Sequence, residues 1–328
     1  MIMLTGGAGF IGSALLWGLN NQGIDDIVVV DRLGDGAKWK NTVKRKYFKY
    51  LHKDELKSWL TGPGADESVE TVFHLGASTS TTESNVDYLV KNNLEYSQYL
   101  FRFCRDKGIP FIYASSAATY GNGDNGYNDE HGVIDRLRPI NPYGYSKQLF
   151  DQWVLGQKEA PPRWYGLKFF NVYGPQEYHK GPQASVAYHA YNDVLAAGAV
   201  KLFKSYRDDC PDGMQKRDFV YVKDAVGVLL HLHAVKGSTA NGIYNVGTGQ
   251  ARSFLDLAGI ALKAMGKSGD NIEWIEMPEE IKNQYQYHTE APMAKLRQQA
   301  GYSKGFACLE EGVADYIANY LQGRDRYL

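Results

Sequence analysis

Long apolar runs are missing from this chain of 328 residues. No stretch of about 18 apolar residues occurs, so no membrane span is expected. The N-terminus lacks a basic region leading into an apolar stretch and a cleavage site, so no export signal is expected either. Cysteine is scarce. Cys104, Cys210 and Cys308 are scattered, with neither metal-ligand spacing nor a disulfide framework. That pattern predicts no metal site and suits a reducing, cytoplasmic setting. An excess of one charge is also absent: 36 Lys and Arg face 37 Asp and Glu, for a net charge of -1. No global field therefore points to nucleic acid as a partner. Internal repeats and low-complexity tracts are absent as well.

The chain does have enough length for about two domains, or for one large α/β unit with an inserted lobe. Hydrophobic residues make up 44% and charged residues 22%, as in an ordinary globular protein. Short apolar strands are predicted at 2–4, 27–30, 71–75, 110–114 and 165–169. Helices are predicted at 10–21, 88–107 and 143–157. Strands alternating with helices indicate a parallel sheet covered on both faces. The pattern weakens after about residue 170. Gly, Pro and polar residues crowd 173–183 and 205–216, which read as loops of a smaller lobe. The charged tail at 321–328 is expected to fray.

The first strand runs into Thr5-Gly6-Gly7-Ala8-Gly9-Phe10-Ile11-Gly12. Gly7, Gly9 and Gly12 fit G-x-G-x-x-G, and Gly6, Gly9 and Gly12 fit G-x-x-G-x-x-G. Glycines there permit a tight turn and close approach of backbone to a pyrophosphate, with the following helix N-terminus supplying free N–H groups. A lone match is weak. A strand before it, a helix after it and Asp31, 19 residues beyond Gly12, strengthen it, because a carboxylate there bonds the adenine ribose. The fold class expected is thus α/β, a Rossmann-type doubly wound parallel sheet with a smaller mixed α/β substrate lobe. Arg32 and Lys38 complicate the cofactor. An acid at the strand end favours NAD, and basic neighbours accommodate the 2′-phosphate of NADP, so residue types alone leave both open.

Tyr143 and Lys147 lie four apart in Pro142-Tyr143-Gly144-Tyr145-Ser146-Lys147, one helical turn apart on one face. A phenol is a poor base at neutral pH, and a neighbouring ammonium is expected to lower its pKa. Ser115 and Ser116 leave the end of the fourth strand, where open α/β sheets bind ligands. A serine there can donate to a substrate oxygen while Tyr143 exchanges its proton. Tyr-x-x-x-Lys alone arises readily by chance; the glycine loop and serine strand in order give it meaning. Together they describe a proton-and-hydride device for an alcohol or ketone.

These blocks resemble the extended short-chain dehydrogenase/reductases, which include NAD-dependent nucleotide-sugar epimerases and dehydratases. Within that superfamily the chain looks like the ADP-glycero-manno-heptose 6-epimerases. The likeness covers most of the chain. It rests on Thr5 to Gly12, His74 to Glu83, Phe111 to Gly121, Arg217 to Val222 and Tyr285 to Thr289. The most discriminating block is Phe170-Asn171-Val172-Tyr173-Gly174-Pro175-Gln176-Glu177-Tyr178-His179-Lys180-Gly181.

The resemblance implies tightly held NADP and interconversion of ADP-D-glycero- and ADP-L-glycero-D-manno-heptose by transient oxidation at C6, for lipopolysaccharide inner-core assembly. It implies catalytic roles for Tyr143, Lys180, Ser116 and Lys147. It places Gly6, Gly9, Phe10, Ile11, Gly12, Asp31, Arg32, Lys38, Lys53, Leu75, Gly76, Ala77, Ser78, Asn92 and Val172 around the cofactor, with Tyr143, Lys147 and Lys180. It places Asn171, Pro182, His189, Phe203, Lys204, Ser205, Tyr206, Arg217 and Tyr285, with Ser116, around the ADP-sugar. A homo-oligomer, specifically a homopentamer, is implied too. Residues 1–170 would form the NADP-binding domain, with 218–250 returning to it. Residues 171–217 and 251–328 would form mainly the substrate lobe.

On residue type alone a loop lysine such as Lys180 is a solvated charge, and His189 reads equally as a packed core histidine. Arg217 suits a diphosphate, because a guanidinium matches it bidentately. The chain departs from the family pattern at Arg32, Leu75, Gln176 and Pro182, and in a longer 206–215 stretch. Those departures bear on nucleotide and sugar preference. Other readings are a UDP-hexose 4-epimerase or a non-catalytic NADP-binding sensor. The sensor is disfavoured by retention of both Tyr143 and Lys147.

Overall fold

The computed structural model describes residues 1–328 apart from 66, 236–238 and 283–284. Twelve strands are present among the described residues. They are β1 (Ile2–Thr5), β2 (Ile27–Asp31), β3 (Lys49–His52), β4 (Thr71–His74), β5 (Phe111–Ser116) and β6 (Trp164–Phe169), then β7 (Asn171–Tyr173), β8 (Val200–Phe203), β9 (Lys216–Tyr221), β10 (Gly242–Val246), β11 (Ala251–Ser253) and β12 (Ile272–Ile275). Strands β1, β2, β4 and β6 are buried along their whole length, as residues of a parallel sheet covered on both faces must be.

Seven strands form one sheet in the order β10-β6-β5-β4-β1-β2-β3. Every pairing in it is parallel. The order reverses direction at β1 and β4, and ligands bind in the crevice outside such a switch point. The expected doubly wound α/β class is therefore the observed one. Two small sheets lie outside it: β11-β9-β7, and the parallel pair β12-β8. No helix among the described residues is long and apolar enough to cross a membrane.

Most predicted elements appear with their ends moved by a residue or two. Helix Phe10–Asn21 has the predicted limits. The helix predicted at 88–107 begins at Val86 and contains a π-helical stretch, Val90–Glu95, before Tyr96–Lys107. Strand β3 was not predicted. Lys49-Tyr50-Leu51-His52 is only partly buried at the sheet edge, so it carries no apolar run to read.

The tail does not fray. Leu328 is buried, the Arg45 guanidinium donates to its carbonyl at 2.7 Å, and Lys44 pairs with Asp325 at 3.0 Å. Its charges meet partners distant in sequence, which composition does not reveal.

Candidate active site

The glycine loop sits at the switch point. Gly6 has φ of 71°, and a Cβ there would lie 2.5 Å from the Gly76 nitrogen on the β4 side. A Cβ on Gly12 would lie 2.1 Å from the Gly6 carbonyl oxygen. Both positions therefore require glycine: one for its left-handed backbone, the other for close packing of helix on turn. Gly9 caps helix Phe10–Asn21 without any side-chain bond, and no acid occupies its first turn. The leading N–H groups of that helix and its positive dipole end are thus left for an anion. This cradle fits the pyrophosphate of a dinucleotide.

A cleft of about 370 Å³ opens beside it. Of the predicted cofactor residues, Gly6, Asp31, Arg32, Lys38, Lys53, Gly76, Ala77, Ser78 and Asn92 line this cleft, together with Tyr88, Tyr96 and His179. Gly9, Phe10, Ile11, Gly12 and Leu75 belong to the loop, its helix and the end of β4. Leu75 N–H donates to the Thr5 carbonyl at 3.1 Å, extending the β1–β4 seam.

Asp31 does more than face the cleft. Its carboxylate accepts from the Ala8 N–H at 2.9 Å, from the Arg32 N–H at 2.7 Å and from Lys38 Nζ at 2.5 Å. It therefore ties β2 to the glycine loop and draws Lys38 inward, while Arg32 remains exposed.

The hydride-transfer end is built on helix Pro142–Leu155. Asn141 caps it by accepting from the Gly144 N–H at 2.8 Å, and Pro142 occupies its first position. A Cβ on Gly144 would lie 2.6 Å from the Ala118 carbonyl oxygen, so glycine lets this helix press against the serine turn. Ser116 begins that turn, its Oγ accepting from the Ala118 N–H at 3.1 Å. The hydroxyl proton is thereby free to be donated elsewhere, and the Ser116 hydroxyl is near enough to Tyr143 to pull its pKa down.

Lys147 is buried, with Nζ donating to the Ala114 carbonyl at 2.9 Å. Burial pushes its pKa down to about 8, against the pull of Asp151. From residue spacing alone this ammonium is expected to lower the Tyr143 phenol. Among the chain's own groups, burial dominates and pushes Tyr143 up, and the Ser116 hydroxyl opposes it.

Lys180 stands in the turn Tyr178–Gln183. Its Nζ lies 5.4 Å from the centre of the Phe10 ring, at the head of the glycine-loop helix. Burial lowers its pKa and Glu177 opposes that shift. Glu177 is itself fully buried, accepting from Ser185 N–H at 2.5 Å and Ser185 Oγ at 2.7 Å.

The substrate-side residues form two groups. Arg217 is buried, with its guanidinium 5.1 Å from the Tyr285 ring centre and 5.4 Å from that of Phe254. Its NH1 donates to the Lys216 carbonyl at 2.9 Å. Phe203 packs edge-on to Tyr285, 6.5 Å between centres, while Lys204 and Tyr206 both bond Glu276 and Ser205 N–H donates to Asp212. In the other group His189 Nε2 meets the Pro182 carbonyl at 3.3 Å. Asn171 opens β7 exposed, with Val172 half-buried beside it.

Several site residues escaped the sequence reading. Asn93 binds Ser78 through both main-chain groups, at 2.8 and 2.9 Å, and donates to Ser146 Oγ at 3.0 Å, joining the cofactor wall to the Tyr143 helix. Asp151 continues the Tyr143–Lys147 face by one more turn and accepts from Lys168 Nζ and Ser115 Oγ, at 2.6 and 2.7 Å. Helical spacing could have found Asp151. Nothing in the sequence marks Asn93 beyond its neighbour Asn92. Asn41 donates to the Gln176 carbonyl and to His179 Nδ1, at 3.0 and 3.1 Å, linking the Lys38 and Lys180 turns. Among the described residues no group of His, Cys, Asp and Glu is arranged to hold a metal ion.

A pyrophosphate cradle at a switch point, beside a tyrosine and lysine on one helical face, defines a nicotinamide-dependent short-chain dehydrogenase type of enzyme. The chain belongs to the NAD dependent epimerase/dehydratase family, whose sequence profile matches residues 2–247. It is 50% identical to the ADP-L-glycero-D-manno-heptose-6-epimerase of Fusobacterium nucleatum subsp. nucleatum, and 47% identical to that of Nitratidesulfovibrio vulgaris strain DP4. In each case 100% of both chains is covered. The crystal structure of the Helicobacter pylori ADP-L-glycero-D-manno-heptose-6-epimerase is similar with a TM-score of 0.80 at 30% identity. That match covers 96% of this chain and 94% of the other.

Proposed function

We propose that this chain is an ADP-glycero-manno-heptose 6-epimerase, acting on the exocyclic C6 carbon of ADP-D-glycero-D-manno-heptose. The observation that carries the reading is its end-to-end likeness to two curated heptose epimerases, at 50% and 47% identity. A bound nicotinamide supplies the chemistry of taking a hydride from C6 and returning it to the other face. The chain's own residues manage the proton and the sugar. Ser116, whose oxygen already accepts from Ala118, donates its hydrogen to the C6 oxygen. Tyr143 exchanges the hydroxyl proton, and the buried Lys147 supplies positive charge beneath it.

Inversion presents the C6 oxygen in two orientations, so two proton-transfer groups are useful. Lys180 is the second, with its ammonium already disfavoured by burial. Arg217 takes the diphosphate between two aromatic faces, with four of its five N–H donors unbonded among the described residues beyond the Lys216 bond. Asn171, Pro182, His189 and the Phe203–Tyr206 stretch surround the remainder of the ADP-sugar. The product enters lipopolysaccharide inner-core assembly, and the enzyme is a cytoplasmic homo-oligomer. In this division of labour residues 1–170 and 218–250 bind the cofactor, and 171–217 and 251–328 mainly the sugar.

The cofactor of this reading is NADP. Lys38 offsets the Asp31 charge at 2.5 Å, while Arg32 and Lys53 stand on the same cleft. That arrangement favours a phosphate over a bare ribose hydroxyl pair. Two measurements test the proposal. NMR of ADP-D-glycero-D-manno-heptose incubated with the protein should show the L-glycero epimer appear, and no conversion would refute the activity. Chromatography of nucleotide released on denaturation should show NADP, and recovery of NAD alone would refute the cofactor assignment.

A further inference from the structure

The turn that carries Lys180 is held from two sides. In front, Asn41 donates to the Gln176 carbonyl at 3.0 Å, and Gln176 Nε2 returns a bond to the Asn41 carbonyl at 3.0 Å. Gln176 is buried with φ of 85°, a left-handed conformation that a non-glycine residue keeps only when its surroundings impose it. Behind, the last residues of the chain close on the same turn. The Tyr178 hydroxyl donates to the Arg326 carbonyl at 2.5 Å, and its ring meets that of Tyr327 edge-on with 5.2 Å between centres. The Arg326 guanidinium lies 5.4 Å from the Tyr178 ring centre.

The tail is anchored in turn to the stretch that follows Lys38. Lys44 Nζ donates to the Tyr327 carbonyl and pairs with Asp325 at 3.0 Å, and Arg45 donates to the Leu328 carbonyl at 2.7 Å. Tyr178 is two residues from Lys180, and Asn41 is three from Lys38. Among the described residues, no hydrogen bond or ring contact joins Tyr178 or Tyr327 to Tyr143, Lys147, Ser116 or Lys180. The Tyr178 hydroxyl bonds main chain, and the Tyr327 carbonyl accepts from Lys44, as a support requires.

We propose that residues 325–328 form a brace that fixes the Tyr178–Gln183 turn, holding Lys180 at the head of the glycine-loop helix and tying it to the Lys38 side of the cofactor cleft. The catalytic consequence rests on the acid/base reading of Lys180; the mechanical one does not. Small displacements of a reacting group are costly, with about 1 Å worth on the order of 10²-fold in rate. A loosened turn should therefore weaken the Lys180 step selectively.

The test compares Tyr327→Ala with the conservative Tyr327→Phe, alongside Lys180→Met, all in the full chain. Hydrogen–deuterium exchange reads the brace without reference to turnover. In Tyr327→Ala, amides of residues 176–183 should exchange faster by roughly tenfold, as expected for a locally opened segment, with helix Pro142–Leu155 unchanged. In Tyr327→Phe they should match wild type. Single-turnover cofactor absorbance with each ADP-heptose epimer reads the consequence. Tyr327→Ala should slow the same epimer that Lys180→Met slows, by about tenfold, and spare the other. Unchanged exchange at 176–183 would overturn the brace. Raised exchange with equal loss on both epimers would also overturn it, leaving general structural support only. If Lys180→Met behaves as wild type while exchange at 176–183 still rises in Tyr327→Ala, the acid/base reading falls and the mechanical brace stands.

Discussion

Burial lowers the Lys147 ammonium to about 8, and Asp151 pulls it back up. Tyr143 is pushed the other way, above the ordinary range of a phenol. The two groups therefore titrate in an order fixed by burial, with the lysine losing its proton first as pH rises. If the positive charge of Lys147 supports transfer at Tyr143, turnover is full below about pH 8 and declines as pH rises through that value. A pH profile of kcat/KM should show this alkaline limb, and a rate that stays flat to about pH 10 would mean the charge is not what Lys147 contributes. Replacing Tyr143 by Phe removes the exchanging group and keeps the ring. Epimerisation should fall by about 10²–10⁴-fold, with circular dichroism unchanged. A folded Tyr143→Phe variant with a wild-type rate would remove the tyrosine from the mechanism.

Helix Pro142–Leu155 shows what an element adds to its residues. Tyr143 and Lys147 were legible from spacing and from the serine strand before them. Asp151 sits one turn further on, fully buried, and is satisfied by Lys168 on β6, which is also fully buried. Lys168 donates to Thr119 Oγ1 at 2.6 Å as well, so helix, β6 and the serine turn share one charged junction. A sequence shows a lysine in a strand and an aspartate in a helix; only the fold shows that they meet. Breaking such a pair from one side leaves a buried charge without its partner, which costs about 3–5 kcal/mol. Lys168→Met should accordingly lower the urea midpoint sharply. Lys168→Met combined with Asp151→Leu should recover much of the loss, because the orphaned carboxylate is gone. A single variant as stable as wild type would show that the junction contributes little to holding the helix in place.

Across the whole molecule, legibility followed burial pattern and local spacing. Strands β1, β2, β4, β5 and β6 announced themselves as apolar runs, and the glycine loop named its own turn. Strand β10, equally buried in the same sheet, was not predicted, its Gly242-Ile243-Tyr244-Asn245-Val246 run being broken by Asn245. Edge strand β3 and the docked tail were not legible either, since each depends on partners far away in sequence. His74 belongs to this second kind. It ends β4 at the switch point, with Nδ1 at 2.7 Å from Thr5 Oγ1 and Nε2 at 2.7 Å from Ser97 Oγ. Burial, and next the Lys147 charge, lower its pKa to about 3 from 6.5. The folded state thus holds the neutral ring and the unfolded state takes up a proton more readily. Stability from this group is complete above about pH 6.5 and is lost as pH falls from there toward about 3. Going from about pH 7.5 to about pH 5, the loss is about 2 kcal/mol. His179, lowered to about 4 chiefly by burial, acts with the same sign. Glu177 and Asp218, both raised by burial, act in the opposite sense, so the wild-type slope alone does not isolate the histidine. The readout is the difference between wild type and His74→Gln, which cannot titrate. Urea midpoints at the two pH values should converge toward acid, wild type losing its advantage over the variant. A constant gap between them would show that protonation of His74 is not linked to unfolding.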